Sequence, residues 1–153
     1  MIRITDQYFW NFVFGVFFIV LFVMGVIILE TEAKINPADL TVLDISLITL
    51  ASWRLIRLFL FDAITKWFRE QFWDVKKVGK DFILEKPATG PRRTIADLMS
   101  CPWCFGLWAA SFMVFFYCLT PIAFYPTLIL AISALATLLH NLSFLIYSKI
   151  NLI

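Results

Sequence analysis

Charge is what this 153-residue sequence has least of. Only 16% of its residues are Asp, Glu, Lys or Arg, while 61% are apolar; ordinary soluble domains carry about 25% charge. A soluble fold of this size has too few polar groups here to cover its surface. Disorder is excluded by the same shortage, because it requires low hydrophobicity together with high charge. The net charge is only +2 and no basic stripe dominates, which argues against a free-standing nucleic-acid binder. Histidine is reduced to His140, and cysteine to Cys101, Cys104 and Cys118. No Walker-type loop and no Ser/His/Asp spacing is present, so no hydrolase, nucleotide or haem site is legible. Internal repeats and low-complexity tracts are missing too. An integral membrane protein is what these absences leave.

The apolar runs place the crossings. Phe9 to Leu29 is almost purely apolar, long enough for a hydrocarbon core of about 30 Å. It exceeds the h-region of a cleavable signal peptide, so a retained first span over 8–29 is expected. Asn36-Pro37 reads as a helix start, Asn as N-cap and Pro at the first helical position. The second span, 42–61, follows and is interrupted by Asp44, Arg54 and Arg57. An uncharged stretch from Leu98 to Ser148 is too long for one helix, and Pro121 and Pro126 divide it into spans over 98–120 and 127–148. The expected fold is an all-α membrane protein with four transmembrane helices in one domain.

Orientation follows from Lys and Arg in the connections. Lys66, Arg69, Lys76, Lys77, Lys80, Lys86, Arg92 and Arg93 crowd the segment 62–97, with Arg3 and Lys149 at the termini on the same side. The other side holds Lys34 alone, beside Glu30, Glu32 and Asp39. Both termini and the middle segment are therefore expected in the cytoplasm. In that segment Ile64, Trp67, Phe68, Phe72 and Val75 recur at spacings of three and four, predicting an interfacial amphipathic helix after the second span. It would either recruit anionic lipid or a partner helix, or simply anchor the end of that span. Phe82-Ile83-Leu84 fits a short strand or an interfacial contact. Thr94 to Asp97 fits a helix-start box.

Two groups of residues could carry chemistry. Cys101-Pro-Trp-Cys104 sits where a span begins, with Ser100 as expected N-cap. A thioredoxin-like dithiol would need a βαβ context, and a zinc or iron–sulfur site needs four ligands. One protomer supplies too few unless Asp97 or His140 joins, or two protomers each give Cys101 and Cys104. The plainer reading is a small pair packed at a helix start and kept reduced by the cytoplasm. Arg54 and Arg57 are charges inside a span, costly and functional by default. Arg54 lies about 18 Å beyond Val42, and His140 about 12 Å before Ser148. A polar layer of Arg54, Arg57, Asp62, Asp97, His140 and Asn141 is expected, with Arg54 or Arg57 paired to Asp62 or Asp97, or capping a neighbouring helix. It would hold a lipid head group or an ion, or act as packing glue. Small residues at Ala123, Thr127 and Ala131, at Ser133, Thr137 and Asn141, and at Gly106 and Ala110 offer close helix contacts, within a hairpin of the last two spans or between copies.

Ala51-Ser-Trp-Arg-Leu-Ile-Arg-Leu58, Asp62-Ala-Ile-Thr65, Arg69-Glu70 and Ser100-Cys-Pro-Trp-Cys-Phe-Gly-Leu-Trp108 together carry a resemblance. Over roughly 47–139 the chain resembles small bacterial and phage-borne membrane proteins catalogued as domain of unknown function 1360. The resemblance implies that Arg54, Arg57, Asp62, Cys101, Cys104, Gly106 and Trp108 are family-motif positions, and it brings no established reaction. The expected function is non-enzymatic: a homo-oligomer, or an accessory subunit beside another membrane protein, in an envelope or phage-related complex. No cofactor and no nucleic acid are expected. The alternatives are a small channel or membrane-permeabilising protein, and a metal or thiol sensor built on the Cys pair.

Overall fold

The computed structural model describes residues 6–78 and 81–150; Arg3 and Lys80 of the charge argument lie outside them. Helix α1 runs Gln7–Glu32, α2 Val42–Leu60, α3 Lys66–Glu70, α4 Pro91–Leu98, α5 Pro102–Leu119 and α6 Phe124–Ile150, with strands β1 Asp74–Val78 and β2 Asp81–Glu85 between α3 and α4. Helices dominate, and three of them, α1, α5 and α6, are long and apolar enough to cross a membrane. The 19-residue α2 has the length, but Asp44, Arg54 and Arg57 dilute its apolar character.

Helix α2 is the centre of the bundle. It packs against α6 on one side and α5 on the other, while α5 and α6 barely meet, and α1 leans on α5 and α4. Ile48 and Ala51 of α2 form a buried cluster with Met113 and Tyr117 of α5. On α6 the buried positions are Thr127, Ala131 and Ala134. The small-residue stripe of α6 therefore serves contact with α2, not a tight hairpin with α5. Gly106 marks another close approach: a Cβ there would stand 3.3 Å from Ile56 Cδ1.

Several helix starts differ from expectation, each for a local reason. Asn36 precedes only a 3-10 turn, Pro37–Asp39. The cap of α2 is Thr41, whose hydroxyl accepts from the Asp44 N–H while the Asp44 carboxylate accepts from the Thr41 N–H and hydroxyl. The third long helix starts at Pro102, not at 98. Cys101, not Ser100, is its N-cap, and Ser100 instead donates to the Ala96 carbonyl. Thr94 is inside α4, which begins at Pro91 after Gly90, where φ is +105°, a conformation glycine adopts without strain. The last helix starts at Phe124, because a proline in the first turn, here Pro126, removes an N–H that would have no partner anyway.

The amphipathic helix expected after α2 breaks into three pieces. A 3-10 turn, Ala63–Thr65, leads into the five-residue α3. From Asp74 the chain is extended, and β1 pairs antiparallel with β2, Lys76 opposite Ile83 and Asp74 opposite Glu85. The helical spacing of Trp67, Phe68 and Phe72 is real, and their rings stack edge to face. Past Trp73, however, the run Asp74-Val-Lys-Lys-Val78 alternates polar and apolar at its ends and finds a partner strand in Asp81–Glu85, so the strand period wins.

Candidate functional site

Toward the end of α2, one arginine brings polar side chains of three segments together. Arg54 Nη1 stands 2.9 Å from Asp62 Oδ2, and its Nε donates to Ser133 Oγ on α6 at 2.9 Å. The Arg54 and Asp62 side chains retain only 16% and 29% exposure. One guanidinium thus ties α2, the turn that ends it, and α6. Arg57 lies over the Trp53 ring, 5.5 Å from its centroid, an intrahelical cation–π contact.

The carbonyls left open at the end of α2 are closed by residues that sequence reasoning passed over. Arg69 Nη1 donates to Leu60 O at 2.6 Å and to Phe59 O at 3.2 Å, and the Thr65 hydroxyl donates to Leu58 O. A helix C-terminus attracts cations and donors for this reason. An Arg some ten residues past an apolar helix is the signal that could have found it. Helix capping was anticipated, but for Arg54 or Arg57 rather than Arg69.

Asp97, placed with the Arg54 layer by the sequence, belongs to a different cluster. It accepts from Lys86 Nζ at 2.8 Å and from Arg93 Nε at 2.9 Å, because Arg93 sits one turn earlier on α4 and Lys86 ends the strand connection. Arg92 reaches Asp74 at 3.1 Å and Gln71 O at 2.9 Å. Helix α4 therefore clamps the β hairpin. Burial would raise the Asp97 carboxyl, but the hydrogen bonds from Lys86 and Arg93 outweigh it and hold it below the ordinary Asp value. A lowered acid contributes stability above its unfolded value, about 3.9, and loses it as pH falls through the folded value. The thermal midpoint of the solubilised protein is thus expected to fall as pH drops below about 5 and through the lowered folded value. Asp97→Asn should lower the midpoint at neutral pH and flatten part of that fall; an unchanged slope would remove Asp97 from the account.

His140 and Asn141 do not join Arg54 either. Both are exposed. Arg54 meets α6 at Ser133 instead, about 10 Å nearer the start of that helix than His140. His140 lies about two turns past Ser133 on nearly the same side of α6, beyond that hydrogen bond. Asn141, about two turns past Ala134, lies on the same side of α6 as the buried positions and is itself exposed.

Cys101 and Cys104 are paired as a disulfide rather than left as two free thiols, with Cα atoms 5.3 Å apart. Each sulfur thereby takes up the other's coordinating capacity, and among the described residues no group of three His, Cys, Asp or Glu side chains gathers for a metal. The ring contact of Phe59 with Phe105, 5.6 Å between centroids, sets this turn beside the end of α2. At the opposite end of the bundle Asp44 accepts from the Tyr117 hydroxyl. The backbone N–H groups of Lys34 and Ile35 close the Cys118 carbonyl there, at 3.0 and 3.2 Å. Chemically, the clusters around Arg54 and Asp97 are satisfied ion pairs suited to joining elements.

Comparison with known proteins follows the same block of chain. A family model described as protein of unknown function (DUF1360) matches residues 47–143, from α2 into α6. The sporulation protein YjcA of Bacillus subtilis (strain 168) is 38% identical over 108 residues, covering 65% of this chain and 90% of the relative. The UPF0713 protein YngL of the same organism is 30% identical over 103 residues, covering 67% of this chain and 79% of the relative. No solved structure matches.

Proposed function

The chain belongs to the DUF1360 family of proteins of unknown function, and from that premise we propose that it is a non-enzymatic, assembling subunit of a bacterial inner-membrane complex. The observation that carries this reading is Asn141. It continues the face of Thr127, Ala131 and Ala134 on α6 about two turns further on and is exposed there, with His140 beside it. Polar side chains within a membrane-crossing helix are costly against lipid and normally face protein. A second copy of the chain, or another membrane protein, satisfies them.

In this reading α2 is the fourth span. The arrangement of its charges supports that: Asp44 is held by Thr41 and Tyr117, Arg54 by Asp62 and Ser133, and Arg57 lies on Trp53. The basic side chains between α2 and α5 then face the cytoplasm with both termini. Exposed Ile64, Trp67 and Val75 lie against the lipid interface, with Lys66 and Lys77 toward anionic head groups.

Native mass spectrometry of the gently solubilised full chain tests the reading. Several copies, or a stoichiometric membrane-protein partner, are expected, with weaker association on Asn141→Leu. A partner-free monomer would overturn it.

A further inference from the structure

We propose that Cys101 and Cys104 form a reversible thiol–disulfide couple that exchanges with disulfides of small thiols or of a partner protein, Cys101 being the attacking sulfur. The pair closes without backbone rearrangement: the 5.3 Å Cα separation lies inside the range that disulfides span, about 4.4–6.8 Å. A link between residues three apart constrains very little of the unfolded chain, so it contributes little as a structural staple. Its placement is open. Pro102, Trp103 and Cys104 are exposed, and Trp103, between the two sulfurs in sequence, stands 90% exposed beside them. The remaining cysteine, Cys118, is buried at the far end of α5 and does not compete.

The roles of the two sulfurs differ by position. Cys101 is the N-cap of α5, and its Sγ accepts the Cys104 backbone N–H at 3.2 Å. In the reduced state that N–H and the start of α5 favour a thiolate on Cys101. Cys104 lies one turn on and is the resolving sulfur. The Cys101 thiolate attacks one sulfur of a partner disulfide, R–S–S–R′, forming Cys101–S–S–R and releasing R′S⁻, which takes up a proton. The Cys104 thiolate then attacks Cys101 Sγ, closing the pair and releasing RS⁻. Two electrons pass from the dithiol to the partner, whose disulfide becomes two thiols; run in reverse, the closed pair oxidises a dithiol. Placing this turn in the cytoplasm rests on the topology proposed above, and there a disulfide is normally transient and redox-linked. Trp103 offers an exposed aromatic surface against which an incoming partner packs.

The test equilibrates the full solubilised chain in glutathione buffers from oxidising to reducing, quenches with acid, and counts thiols with a maleimide-linked polymer under denaturing conditions. One reactive thiol, that of Cys118, is expected at the oxidising end, rising to all three cysteines through a transition within the glutathione range. A constant count of one or of three across the series would overturn the proposal. Cys104→Ser treated with glutathione disulfide should form the adduct on Cys101 several-fold faster than Cys101→Ser forms it on Cys104; the reverse order overturns the assigned roles. An impermeant maleimide on reduced, intact cells examines the topology separately. Labelling of Cys104 without permeabilisation would overturn the cytoplasmic placement while leaving the exchange chemistry standing.

Discussion

Arg54→Leu is expected to lower the unfolding free energy of the solubilised protein by about 3 kcal/mol, near the value for breaking a buried ion pair. The substitution removes the counter-charge of a half-buried Asp62 and the donor to Ser133 together. The turn after α2 and the contact between α2 and α6 should loosen at once, because one guanidinium serves both. Denaturant or mixed-micelle titration followed by Trp fluorescence reads the loss. Asp62→Leu in the same background should restore part of it, since the stranded carboxylate is the larger share of the penalty. A double-mutant cycle that is strictly additive would refute the coupling. A variant that stays folded and assembled but loses biological activity would instead make Arg54 a ligand-binding residue.

The second large effect is expected from overfilling the seam between α2 and α6. Ala134 is 0% exposed and Ala131 1%. Leucine at position 134 has no space to enter without parting the helices, at a cost of about 3 kcal/mol, the upper part of the overpacking range. Leu135, next to it, is half exposed, and Leu135→Ala should stay within about 0.5 kcal/mol in detergent. The same titration compares the two. If Ala134→Leu proves as mild as Leu135→Ala, the seam is not the close contact described. Leu135→Ala would matter only in the assembled protein, were that side of α6 part of an intermolecular surface.

Much of the architecture is legible in the sequence because it depends on stretches of neighbouring residues. The runs over α1, α5 and α6 are apolar whatever they pack against, and Pro121 marks the break between the last two. The segment after α2 was harder. Trp67, Phe68 and Phe72 keep a helical spacing through α3, yet the next residues are claimed by a strand partner whose pairing cannot be read from either segment alone. Helix starts failed in the same way. Ser100 and Asn36 are good caps by type, but Cys101 and Thr41 hold the positions from which a side chain meets the third N–H of the helix.

Composition and run length are enough to set the solvent and the supply of parts: too little charge for water, enough apolar length to cross a bilayer, and a small set of polar side chains inside or beside the long helices. Hydropathy sums residue by residue, so it survives without knowledge of the fold. Which polar groups meet depends instead on how the helices pack. Arg54 and Ser133 are 79 residues apart in the chain and 2.9 Å apart in space, while Asp97 turns to Lys86 and Arg93, and Asn141 stays exposed. Helices that cross at an angle share only a limited stretch of their lengths, and that stretch, not the composition, selects the partners of each polar group.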